Sequence, residues 1–311
     1  MQHTGEIIAL MVAISWTATA IFAEVAVRRL GTLRANIVRL SIAIVLLTGT
    51  LMVMTGSVVP PYADAETWCW MLLSGLVGFT FGDYCLFNSY QLIGSRFGQL
   101  LMTLAPVFAA VTARIALGET LSGMAIVAMT VTLSGIAISI VTKGGDNHHH
   151  LKLPLRGVIY GIGAAAGQGV GIVISKTGLV AYAAAVPEGA TAAVEAMPLA
   201  ATLIRSYAGL VGFVVMLKLA PEGISSLRGA LEDRTGLTYM TLGAIFGPFV
   251  GVTLSLMAVQ HADAGVASTI MALTPILILL PARVIYKQKV TTAETVGAII
   301  SVVGTAMFFI C

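Results

Sequence analysis

Asp83 is the one aspartate of this 311-residue chain that falls inside a long apolar stretch, in the run GFTFGDYCLFNSYQ. An ionisable group at such depth costs about 2.5–3.5 kcal/mol on insertion scales, so each one is a candidate for function. A desolvated carboxylate can take up a proton and release it when its surroundings open to water, which is the chemistry of a transport-coupling group. A structural ion pair with Arg39 or Arg205 accounts for it equally well. By helical spacing, Asp83, Phe87 and Gln91 share one face, and Tyr84 and Asn88 an adjacent one, which places polar atoms where a small molecule can be held. Arg205, also near mid-depth, can neutralise Asp83 or an anionic substrate group.

Other chemistries find little support. Cys69, Cys85 and Cys311 have no paired spacing, and His148, His149 and His150 lie together in a polar loop, so no disulfide framework, metal site or cofactor is expected. GFTFGD approaches the Gly-x-Gly-Asp signature of intramembrane aspartyl proteases, but Thr80 stands in place of the first glycine and no second intramembrane aspartate exists. An enzyme is not expected. Glycine-rich GIGAAAGQGVG reads as close helix packing rather than a nucleotide loop, and no nucleic-acid partner is expected.

The elements that must position Asp83 follow from composition. Hydrophobic residues make up 58% of the chain and charged residues only 10%, far from soluble usage. The expected fold is an all-α polytopic membrane protein with ten transmembrane helices, at about 5–26, 35–55, 68–92, 97–116, 120–142, 156–178, 197–218, 237–260, 265–285 and 291–311. The polar connections are VVPPYADAET, KGGDNHHHLKLPLR and KLAPEGISSLRGALEDRTG, while AYAAAVPEGATAAVEA reads as a loop or surface-lying segment. The first span follows MQHTGE, which lacks a basic signal region, so it is expected to be retained.

Shifting the chain by 169 residues aligns 71–137 with 240–306, with 13 identities in 67 positions against roughly 5 by chance. Gly78/Gly247, Gly82/Gly251, Gln91/Gln260, Pro106/Pro275, Arg114/Arg283 and Gly135/Gly304 are among them. Upstream, Gly5 and Ile7 match Gly157 and Ile159, which pairs Trp16 with Gln168 and Glu24 with Lys176; Arg39 falls opposite Arg205. The organisation expected is a five-helix repeat over 1–142, a polar linker over 143–155 and a second five-helix repeat over 156–311. An odd number of spans per repeat inverts the second against the first, the arrangement of carriers with a site at the membrane midplane.

The repeat assigns further residues. Trp16 and Gln168 occupy matching central positions; a mid-depth tryptophan is unusual, and helix packing is its plainer reading. Opposite Asp83 the second half offers Val252, Thr253 and Ser255, and Gln260 matches Gln91, so the site is chemically lopsided. Pro106 and Pro275 fall near the centres of their spans, where each would free the carbonyl four residues earlier, on Met102 and Met271, as hinge or ligand. Glu24 and Lys176 are expected to snorkel to opposite faces. Alternate loops, starting with the first, carry twelve of the 17 Lys and Arg, so by the positive-inside rule both termini face outward.

GDYCLFNSYQLIGSRFGQLLMTLAPVFAAVTARIALGET followed by SGIAI resembles the EamA family of the drug/metabolite transporter superfamily. The pattern carried over is Gly82, Pro106, Gly118, Glu119 and Gly135; the second half departs from it, with Lys287 and Gln288 in place of the Gly-Glu pair. The resemblance implies a ten-helix secondary carrier of the inner (plasma) membrane, often an exporter of amino acids or other small metabolites, monomeric or homodimeric. It also implies termini in the cytoplasm, against the charge count. Alternating access driven by protons or by exchange is the expected mechanism; a channel or small-molecule receptor with the same helices is the alternative.

Overall fold

The computed structural model describes residues 4–117, 123–141, 153–252, 254–255, 258, 270–271, 273–284 and 290–310, and every regular element among them is helical. Helix α1 is Thr4–Leu30 and α2 is Thr32–Thr55. Only Gly31 separates them, at φ 78, where a side chain would be strained. The third span begins as α3, Ala65–Gly75, whose first turn is capped by Asp64 accepting the Thr67 N–H at 2.8 Å. It widens into a π-helical segment, Leu76–Asp83, and continues as α4, Tyr84–Met102. Within α4, Gly94 at φ 83 and ψ 160 breaks the helix and kinks the chain.

Helices α5, Ala105–Leu117, and α6, Gly123–Val141, complete the first half. The second half opens with α7, Leu155–Ala185, and α8, Thr191–Leu219. The AYAAAVPEGATAAVEA stretch is therefore mostly helix, not loop: alanine is the best helix former, and only Val186–Ala190, which holds Pro187 and Gly189, interrupts it. A short α9, Ser226–Glu232, leads to α10, Arg234–Ala244, which widens into a second π-helical segment, Ile245–Gly251. Helices α11, Thr274–Leu277, α12, Leu279–Val284, and α13, Thr292–Ile310, follow.

Pro106 and Pro275 do not kink a continuous helix. Each sits in the first turn of a new one, α5 and α11, where its missing N–H would have had no helical partner. The Met271 carbonyl is accordingly not free: the Thr274 hydroxyl donates to it at 3.1 Å. In the first half, Thr103 and Leu104 close tight turns onto the Leu100 and Leu101 carbonyls instead.

Small residues set the packing. Gly167 of α7 lies against Gly82, and Gly171 against Gly78, so two backbones meet where a Cβ would not fit. Ser74 Oγ donates to the Gly171 carbonyl at 2.7 Å across the same seam. Gly135 of α6 packs on Ser301 of α13, and Gly304 of α13 packs on Thr132 of α6. These contacts exchange under the 169-residue shift, since Thr132 maps to Ser301 and Gly135 to Gly304. Large aliphatic side chains such as Val45, Val53, Ile115 and Leu280 point outward, the surface of a chain solvated by lipid.

Candidate functional site

The two π-helical segments begin at equivalent positions, Leu76 and Ile245, which differ by 169. Pro248 explains the second, because a wider turn relieves the clash of its ring with the preceding turn and accommodates its missing N–H. Each segment faces the first helix of the opposite half. Gly82 packs against Gln168 of α7, and Gly251 packs against the indole of Trp16 of α1. Trp16 and Gln168 are thus related in space as they are in the repeat, and both line a seam between halves.

Asp83 ends the first π segment and is 4% exposed. Its Oδ2 accepts from Arg39 Nη2 of α2, which is itself buried, and its Oδ1 accepts from Gln168 Nε2 at 3.1 Å. Gln168 Nε2 also reaches the Gly78 carbonyl at 3.2 Å, inside the wide turn. The Arg39 guanidinium lies 4.9 Å above the Phe87 ring, which stacks on Tyr90. Arg205 of α8 lies 4.7 Å above Phe79, and its charge acts on Asp83 without a direct bond. Both arginine Nε atoms are buried without a hydrogen-bond acceptor.

Not every residue expected at this site joins it. Gln91 donates to the Val27 carbonyl at the end of α1 at 2.6 Å, and Asn88 to the Tyr84 carbonyl one turn back at 2.7 Å. Tyr84 meets Tyr160 edge-on, with ring centroids 6.0 Å apart. Thr253 and Gln260 lie outside the described residues, as do Gly118, Glu119, Lys287 and Gln288.

A second buried cluster lies toward the loop ends. Glu24, expected to snorkel, is 3% exposed, and its carboxylate accepts the Ser95 backbone N–H at 2.7 Å and Arg28 at 3.0 Å. The cause is the Gly94 break, which strips Ser95 N–H of its helical acceptor. Next to it, Arg96 Nη1 pairs with Glu294 of α13 at 3.3 Å, both side chains under 9% exposed. Glu294 also forms a reciprocal cap with Thr291. Arg29–Asp233 at 2.9 Å and Arg34–Glu222 at 3.8 Å join the halves near the same loop ends. A glycine ahead of buried-register charges, as in IGSR, is the sequence signal that would have marked this cluster.

Comparison with known proteins decides the family. The model of the EamA-like transporter family matches twice, over residues 3–141 and 155–310. The chain belongs to the EamA-like transporter family. It is a drug/metabolite-type transporter and a multi-pass membrane protein, with Ile7–Leu30, Thr32–Thr55, Ala65–Met102, Leu155–Ala185 and Thr191–Leu219 long and apolar enough to cross a membrane. A similar solved structure, described only as a crystal structure of a protein, is 15% identical and superposes with a TM-score of 0.59 over 99% of this chain and 97% of its own. At that identity it speaks for the fold alone. No curated protein matches. In an EamA-like chain, small-molecule substrate and lipid are the natural partners. The two family matches fall on either side of residues 142–154, as do the two π segments.

Proposed function

We propose that this chain is a ten-span secondary carrier of the plasma membrane that exports small metabolites, amino acids or related compounds, by alternating access. One observation carries the reading: two wide-turn segments at equivalent repeat positions face Gln168 and Trp16 across the seams between halves, and one of them ends in buried Asp83. Wide turns loosen the backbone ladder where a helix must flex, and they concentrate at functional sites. Gln168 of α7 bonds Asp83 across the seam between halves, while Arg39 of α2 bonds it within the first half, so movement of one half against the other remakes the Gln168 bond and leaves Asp83 to Arg39. Protonation of Asp83, or arrival of substrate, is the event that releases Arg39.

Inter-half ion pairs at one end, Arg29–Asp233, Arg34–Glu222 and Arg96–Glu294, coincide with the basic loops and support that end as cytoplasmic, with both termini outward. Counterflow in proteoliposomes tests the function. A carrier accumulates labelled substrate transiently against an unlabelled internal pool, whereas a channel gives no overshoot. Equilibration without overshoot for every transported compound overturns the reading.

A further inference from the structure

Arg205 is the central residue of α8, Thr191–Leu219, and therefore sits near mid-membrane. Its guanidinium carries five N–H donors and cannot be neutralised. Among the described residues it donates no hydrogen bond; its Nε is buried without an acceptor, and its one close partner is the Phe79 ring at 4.7 Å. Asp83 does not meet the need: its oxygens accept from Arg39 and Gln168, and among the described residues Arg205 forms no hydrogen bond or ion pair with it. The centre therefore holds two cations and one anion. The guanidinium tip reaches the Gly78 backbone, where a Cβ would lie 3.0 Å from Arg205 Nη2, and the residue as a whole is only partly buried, so its remaining N–H donors are not sealed off by the protein.

We infer that Arg205 is the docking point for a substrate carboxylate. A carboxylate group offsets the uncompensated charge of Arg205 locally, and the planar fork of a guanidinium matches it in two parallel hydrogen bonds. Phosphate, carrying more than one charge near neutral pH, would overshoot that balance. Phe79 and the aliphatic walls of α8 then face the less polar part of the ligand. The inference rests on the carrier reading for its direction of use, but the binding site stands or falls separately.

The test uses four probes on the full-length purified chain: lactate, alanine, alaninamide and inorganic phosphate. Each is followed by thermal shift and by counterflow in proteoliposomes for wild type, R205K and R205Q, with the unliganded melting of each variant recorded to establish folding. The expected result is stabilisation and counterflow with lactate or alanine but not alaninamide or phosphate, reduced roughly tenfold or more in R205Q, the size of charge-assisted hydrogen bonds, and partly kept in R205K. Equal handling of carboxylates by R205Q and wild type, preference for alaninamide or phosphate, or no response to any probe overturns it. Alaninamide counterflow that ignores Arg205 would sink the carboxylate site and leave the carrier intact. Arg205-dependent carboxylate stabilisation without any counterflow would keep the site and count against the carrier.

Discussion

Glu24 in α1 accepts the backbone N–H of Ser95 at 2.7 Å, seventy-one residues away, and so caps the half-helix that restarts after Gly94. Side-chain capping of this kind normally comes from the residue just before the helix. Here that residue is a glycine with φ 83, which has no side chain to offer. Removing the carboxylate in Glu24→Ala leaves a buried N–H unsatisfied and is expected to cost about 1–3 kcal/mol. Glu24→Gln keeps an acceptor oxygen and should lie much closer to wild type. Thermal unfolding in detergent ranks them, and equal losses for Ala and Gln would show that charge, not capping, is what matters.

Arg96 and Glu294 join the two halves through buried side chains at 3.3 Å. Removing one partner strands the other, so Arg96→Met and Glu294→Gln are each expected to destabilise, by about 3–5 kcal/mol for full loss of a buried pair. The double variant should recover part of the loss. A double-mutant cycle read by unfolding checks this, and strict additivity of the two single effects would rule the coupling out.

Much of this fold is legible in the sequence because membrane spans and repeats are written in residue type. Gly78/Gly247 and Gly82/Gly251 mark the wide turns, and their identity under a 169-residue shift is visible without coordinates. Asp83 is conspicuous because charge at depth is rare. What the sequence hides is direction. Gln91 and Asn88 share helical faces near Asp83, yet they bond to the Val27 and Tyr84 carbonyls, because an amide in an apolar setting takes the nearest backbone acceptor. Pro106 and Pro275 look like mid-span faults, but whether a proline kinks a helix or starts one depends on turns two or three residues earlier, which leave no signature in type. Glu24 reads as a snorkelling acid until the Gly94 break supplies its partner.

Glycine positions separate packing from propensity. A Cβ on Gly297 would meet the Gly135 carbonyl at 2.6 Å and the Ser139 N at 2.7 Å, so Gly297→Leu must push α13 off α6 and destabilise strongly. Gly49, in the interior of α2, has nothing within 4 Å of an added Cβ. Gly49→Ala is expected to stabilise by up to about 1 kcal/mol through helix propensity alone. Melting temperatures moving in the same direction for both would contradict the packing described for α6 and α13.

Asp233 links stability to pH at the loop end. Its carboxylate accepts from Arg29 Nε at 2.9 and 3.1 Å and from the Gly236 N–H at 2.9 Å, and these bonds, Arg29 first, hold it below its ordinary value of 3.8. A carboxyl lowered on folding contributes stability above its unfolded value and loses it as pH falls through the folded one. Wild type should therefore lose stability below about pH 4 more steeply than Asp233→Asn. Parallel pH–melting profiles for the two would show that the Arg29 contact contributes nothing.

Asp83 itself can be tested for two roles at once. As one partner of a buried ion pair, Asp83→Ala should leave Arg39 uncompensated and cost about 3–5 kcal/mol, with the Arg39→Met, Asp83→Leu double variant recovering much of it because an apolar pair has no desolvation penalty. Asp83→Asn keeps the shape and one acceptor oxygen for Arg39, and its NH2 can be met by the Gln168 amide oxygen once that amide turns over, so it should fold. It cannot exchange a proton, and transport by this variant is expected to lose its pH dependence while substrate exchange at fixed pH persists. The two readouts separate the roles: stability of the Ala variant reports the ion pair, and the pH profile of the Asn variant reports coupling. A folded Asn variant whose transport follows pH as wild type does would confine Asp83 to holding Arg39 in place.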